Sequence, residues 1–175
     1  ISRIAADRRM DYGGILLIAT VASLTGGSLR NLFLGERPIW LQQPWYFLSI
    51  LLAVAITIAL RITRPVGKVV LGMDTLGLAV ATVSGVQYSL NHYAPSYAAV
   101  ILGVLTAVAG GLLRDVLCQV EPVLLHRETI GTACTVGALA YVLLEPTALP
   151  NGVVAIISGT VIVLVRSLSI QKGWN

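Results

Sequence analysis

Apolar residues run along this chain in long blocks, and short segments carrying Pro, Gly and charged residues separate the blocks. Bounded in this way, the pattern predicts helices at about 12 to 34, 44 to 60, 70 to 90, 97 to 118, 129 to 144 and 150 to 167. A helix covers the roughly 30 Å of bilayer hydrocarbon with about 20 apolar residues, so 175 residues hold six or seven spans joined by short loops. The apolar mass is Leu, Val, Ile, Ala and Gly in runs, not the period-two alternation of a transmembrane barrel. The expected class is an all-α integral membrane protein.

Composition narrows this further. Hydrophobic residues make up 56% of the chain and charged residues 11%, against about 25% charged in soluble domains, which excludes an ordinary soluble fold and a disordered chain. The net charge of +4 would suit nucleic acid in a soluble protein, but here the position of each charge decides. Arg3, Arg8, Arg9, Arg61, Arg64, Lys68, Arg127, Arg166 and Lys172 fall on one side of the predicted spans, Arg37 on the other, and Arg30 and Arg114 within spans. The richly basic side is cytoplasmic by the positive-inside rule, which places Asn175 in the cytoplasm and makes membrane lipid, not nucleic acid, the partner.

An internal repeat carries the most information. Gly26-Gly27-Ser28-Leu29-Arg30-Asn31 returns 84 residues later as Gly110-Gly111-Leu112-Leu113-Arg114-Asp115, and the register continues through Pro38 with Pro122 and Leu41 with Leu125. An odd number of predicted helices separates the copies, so the two units enter the membrane with opposite topology, as an inverted repeat. Unit two opens with a whole span before its glycine helix, whereas the matching part of unit one precedes Ile1. The expected organisation is a first unit at 1–66 whose first helix is largely missing, a second unit at 67–147, and a final helix with a cytoplasmic tail at 148–175. Ile1 to Arg9 read as the last turns of that first helix and its anchor.

Each glycine lowers helix propensity by about 1 kcal/mol, so the two pairs predict kinks or unwinding near Gly26 and Gly110, at similar depth in antiparallel spans. Broken helices would expose carbonyls to a cation and amides to an anion or carboxylate. The alternative is close helix packing, the commonest use of small residues in membranes. Arg30 and Arg114 are costly in hydrocarbon and call for polar surroundings or for snorkelling to an interface. Asp115 and Asp74 are the acids near membrane depth that can offset arginine charge or face a cavity, with helix capping the other reading of Asp74. Thr25, Thr106 and Ser28 can supply hydroxyls to a site or bond their own backbone.

The segment from Ala22 to Gly35, its twin at Thr106 to Leu117, and Met10-Asp11 ahead of them resemble the prokaryotic trimeric intracellular cation channel family, whose bacterial relatives are also labelled a glycine transporter family. The resemblance implies seven helices, a homotrimer, and a potassium-permeable pore inside each protomer beside two kinked glycine helices. It also implies a multi-pass protein of the prokaryotic inner membrane. Thr25 and Ala109 stand where a third glycine commonly precedes each pair, and Asn31 where the first copy often carries Asp.

The remaining residues add less. Cys118 and Cys134 fall near cytoplasmic span ends with neither disulfide nor metal spacing; His92 and His126 read as solvated loop residues; Trp40, Trp45 and Tyr46 read as an outer aromatic belt. No phosphate-binding loop, zinc-protease motif or nucleophile elbow is present, so the chain reads as no enzyme and as needing no cofactor beyond permeant K+ or Na+. Two functions stay open, a passive monovalent cation channel and a carrier of a small zwitterion such as glycine. The site residues for either are Thr25, Gly26, Gly27, Ser28, Arg30, Asn31, Asp74, Thr106, Gly110, Gly111, Arg114 and Asp115.

Overall fold

Each long apolar block of the sequence forms an α-helix, because backbone amides in hydrocarbon have no partner except their own carbonyls. The computed structural model describes residues 12–59, 67–119, 129–147 and 149–172. Its helices are α1 (Tyr12–Phe33), α2 (Ile39–Gln42), α3 (Trp45–Ala59), α4 (Gly67–Asn91), α5 (Ser96–Leu117), α6 (Thr129–Leu144) and α7 (Asn151–Lys172), with no strand among the described residues. The segments Leu16–Phe33, Ser96–Leu117 and Asn151–Ile170 are each long and apolar enough to cross a membrane. At 1.5 Å per residue, α1, α5 and α7 each run about 33 Å. Predicted and observed helix bounds agree closely; the short α2 was missed because a single turn leaves no hydropathy signature. Residues 1–11, Pro122, Leu125 and His126 lie outside the described residues, and with them the expected anchor and the far end of the repeat.

The bundle is organised around α4 and α5, which pack along each other; α1 lies against α5, α7 against α6 and α4, and α3 against α1 and the short α2. Small residues set these distances. A side-chain carbon added at Gly103 would meet Val86 and the carbonyl of Thr82, and one added at Gly137 would run into Ile162 of α7. The buried core is correspondingly fine-grained: Ala79, Val83 and Val86 of α4, Ala99 of α5, Ala133, Ala138 and Tyr141 of α6, Val154 and Ile162 of α7. A smaller cluster of Ala19 and Val54 joins α1 to α3.

The repeat also governs where helices stop. After α1 the chain turns through Gly35 at φ 71°, with the Glu36 amide on the Asn31 carbonyl and the Gly35 amide on Leu32. That is a Schellman stop, which requires a left-handed residue. Eighty-four residues on, Gln119 follows α5 at φ 52° with its amide on the Val116 carbonyl. The register of the two copies therefore extends through their caps, although only the first has the glycine that the conformation favours.

Candidate functional site

The two glycine pairs sit where α1 crosses α5. Helical structure is continuous through both, over Tyr12–Phe33 and Ser96–Leu117, so the unwinding expected at Gly26 and Gly110 does not occur. Packing overrides intrinsic propensity here. A side-chain carbon at Gly26 would collide with the backbone carbonyl of Thr106, and one at Gly110 with the carbonyl of Ala22. Ala22 and Thr106 are themselves repeat equivalents, as are Gly26 and Gly110. Residue i of one unit thus touches j of the other while j touches i, the reciprocal pattern of a local two-fold axis, with the helices antiparallel. Gly27 has nothing within 4 Å of where a side chain would start, and Gly111 only the Arg114 Nη2 at 4.0 Å. One glycine of each pair seals the crossing, and the other opens beside it.

Beyond the crossing, at opposite ends, lie two matched polar half-sites. Arg30 donates from Nε and Nη2 to Asn31 Oδ1 at 3.1 and 2.9 Å. Asn31, wholly buried, passes its Nδ2 hydrogens to the Arg37 carbonyl at 2.9 Å and to the Tyr88 hydroxyl at 3.4 Å. The Arg30 guanidinium lies 3.9 Å from the centroid of the Tyr88 ring, which also stacks with His92 at 4.0 Å. His92 is therefore not a freely solvated loop residue; its Nδ1 pairs with the Tyr88 carbonyl at 2.8 Å. In the second copy Arg114 donates from Nε to Asp115 Oδ1 at 2.7 Å, with Nη2 at 2.7 Å, and Asp115 is buried. Both arginines are thus held by the next residue of their own helix, which places each charge close to the backbone and out of lipid.

Asp74 belongs to a third cluster. Its Oδ2 accepts from Arg166 Nη2 at 3.0 Å, and Arg166 Nε donates to Thr75 Oγ1 at 3.0 Å. Arg166, assigned by the sequence to the basic side of the spans, is buried within α7, which runs on to Lys172 instead of ending near 167. Hydropathy reads a charge near the end of an apolar block as a boundary, and no spacing rule links it to an acid 92 residues away.

The hydroxyl residues bond their own backbone. Thr25, Ser28 and Thr106 donate to the carbonyls of Val21, Leu24 and Leu102, each four residues back in its own helix. Thr25 and Ser28 face a groove of about 540 Å³ between α1, α2 and α3, away from the α1–α5 contact. Trp40 donates its indole Nε1 hydrogen to Ser28 Oγ at 2.9 Å and pins α2 onto α1. Trp45 remains exposed at the start of α3. Cys118 and Cys134 are buried free thiols, and no metal-ligating cluster is present among the described residues. Tyr88 and the Arg37 carbonyl are the partners sequence reasoning missed, since both come from outside the repeated motif.

Antiparallel apolar helices, with an arginine pair on either side of a glycine crossing, define an all-α membrane protein. The chain belongs to the glycine transporter family, which it matches over residues 2–61 and 71–146. Among relatives, it is 34% identical over 159 residues to a UPF0126 membrane protein of Vibrio cholerae, covering 86% of this chain and 66% of that protein. It is 32% identical to the UPF0126 inner membrane protein YadS of Escherichia coli K12, covering 98% and 84%. Among solved structures, the TRIC trimeric intracellular cation channel orthologue from Rhodobacter sphaeroides matches with a TM-score of 0.92 at 32% identity, covering 98% of this chain and 90% of that one. A second structure, from work on conductance through TRIC cation channels, matches at 0.86 with 31% identity over 99% and 86%.

Proposed function

We propose that the protein is a cation channel of the prokaryotic inner membrane, permeable to potassium, with its path beside α1 and α5. The observation that carries this reading is the likeness, over nearly the whole chain, to a solved cation channel orthologue. The site gives it a physical basis. Gly27 and Gly111 leave open space on either side of a crossing that Gly26 and Gly110 hold tight. The polar half-sites flank that space with amide, hydroxyl and charged groups, polar surroundings of the kind a hydrated path needs. The protein assembles as a homotrimer in which each protomer has its own path, with its C terminus in the cytoplasm, a reading supported by the excess of basic residues on that side of the sequence.

Single-channel recording of purified protein in a planar bilayer under a potassium gradient tests this. Discrete steps reversing near the potassium equilibrium potential are expected, and a silent bilayer containing trimeric protein would refute the reading. A mass, corrected for detergent, of one or two protomers would remove the trimer.

The family description favours one competing reading, a carrier of a small zwitterion such as glycine. Arginine would take the carboxylate and Asp115 the ammonium group. Concentrative uptake of labelled glycine by proteoliposomes, without unitary currents, would select it.

A further inference from the structure

We propose that the half-site at Arg30 carries a net positive charge that its twin at Arg114 lacks, and that this difference makes conduction rectify. The proposal rests on the channel reading and on the cytoplasmic placement of the C terminus, which puts Arg30 towards the outside and Arg114 towards the cytoplasm.

The two half-sites are copies in sequence and geometry, and they differ in one atom of chemistry. At the inner copy the acceptor for the arginine Nε is the Asp115 carboxylate, and the pair is neutral. At the outer copy the acceptor in the same position is the Asn31 carboxamide, which has no charge to give. Among the described residues no carboxylate reaches Arg30. Its other contact is the face of Tyr88, and Glu36, the nearest acid in the chain, is exposed and meets Asn31 only through its backbone amide. A ring quadrupole and an amide dipole ease a cation without cancelling it.

The asymmetry survives screening. Arg30 and Arg114 lie on either side of the reciprocal contact, about 18 Å apart along the helices, which exceeds the Debye length of about 8 Å at physiological salt. Each mouth of the path therefore responds to its own half-site. A unit charge about 10 Å from a hydrated path changes local cation occupancy by about two-fold at water-like dielectric, and by more where water is excluded. The barrier lies near the outer end, so a voltage driving cations outward acts on almost its full height, and one driving them inward acts on little of it. Outward cation current exceeds inward current at equal and opposite voltages.

Excised patches from giant spheroplasts keep the protein in its biosynthetic orientation and allow the test in symmetric KCl. The expected wild-type result is outward rectification of about two-fold at low salt, shrinking at high salt. Arg30→Gln removes the outer charge, and should abolish rectification while raising inward conductance. Asp115→Asn gives both half-sites the same charge, and should abolish the rectification they cause while lowering conductance in both directions. These opposite effects on conductance separate the electrostatic account from simple damage, and thermal unfolding of each variant in detergent identifies protein that has not folded. Wild-type current that is ohmic or inwardly rectifying, or rectification unchanged in folded variants, would overturn the proposal and leave the channel reading standing. No wild-type current at all would remove both.

Discussion

Arg166 of α7 and Asp74 of α4 form an ion pair at 3.0 Å whose arginine is buried and whose carboxylate is 40% exposed. The pair ties α7 to the helix that packs on α5. Asp74→Ala removes the carboxylate and leaves the guanidinium its contact with Thr75 Oγ1 at 3.0 Å. Losing a fully buried partner costs about 3–5 kcal/mol, and partial exposure reduces this to about 1–2 kcal/mol here. The thermal midpoint in detergent should fall by roughly 2–8 °C, and an unshifted midpoint would show that α7 is held by apolar packing alone.

The two glycines of each pair should respond in opposite ways to alanine. Gly26→Ala and Gly110→Ala push a methyl group into backbone carbonyls, which cannot turn aside as a side chain could. Each should cost about 1–3 kcal/mol. Gly27→Ala and Gly111→Ala point into open space and should be neutral or stabilising by up to about 1 kcal/mol. Leucine at either of these second positions should leave stability intact and reduce conductance. Equal stability loss at all four glycines, measured by unfolding in the same detergent, would contradict the division of roles.

Ser158 and Ser169 in α7 are buried with hydroxyls that meet no partner among the described residues. Ser158→Ala removes a desolvated polar group from the contact with α6, and should stabilise by about 1 kcal/mol. A lowered unfolding midpoint would mean that an ordered water satisfies the hydroxyl.

Gln119 holds the left-handed position that Gly35 occupies in the other copy. Gln119→Gly should therefore stabilise by about 0.5–1 kcal/mol, while Gly35→Gln should cost a similar amount. Guanidinium or thermal unfolding of the pair checks the sign, which must reverse between the two positions.

Much of the fold was legible because hydrocarbon imposes long apolar blocks, and the repeat was legible because its motif returns with its register intact. What failed to show was decided between helices. Gly26 and Gly110 looked like breaks when judged by propensity, yet the carbonyls they admit belong to the partner helix. Arg166 looked like a flank because its acid lies in another helix. The twin Arg30 and Arg114 were visible as charges within spans, but Tyr88 beside Arg30 carries no mark in a linear pattern.

The reciprocal contact of Gly26 with Thr106 and Gly110 with Ala22 also limits how the two long helices can move. Sliding α1 along α5 would separate both contacts, and tilting one helix alone would open one while crushing the other. A scissoring of the pair about its midpoint, near Leu24 and Val108, keeps both. Such a pivot spreads the two ends by equal amounts, so the faces towards Arg30 and Arg114 widen together. Joint widening admits a continuous column of water, whereas a carrier must open its ends in turn.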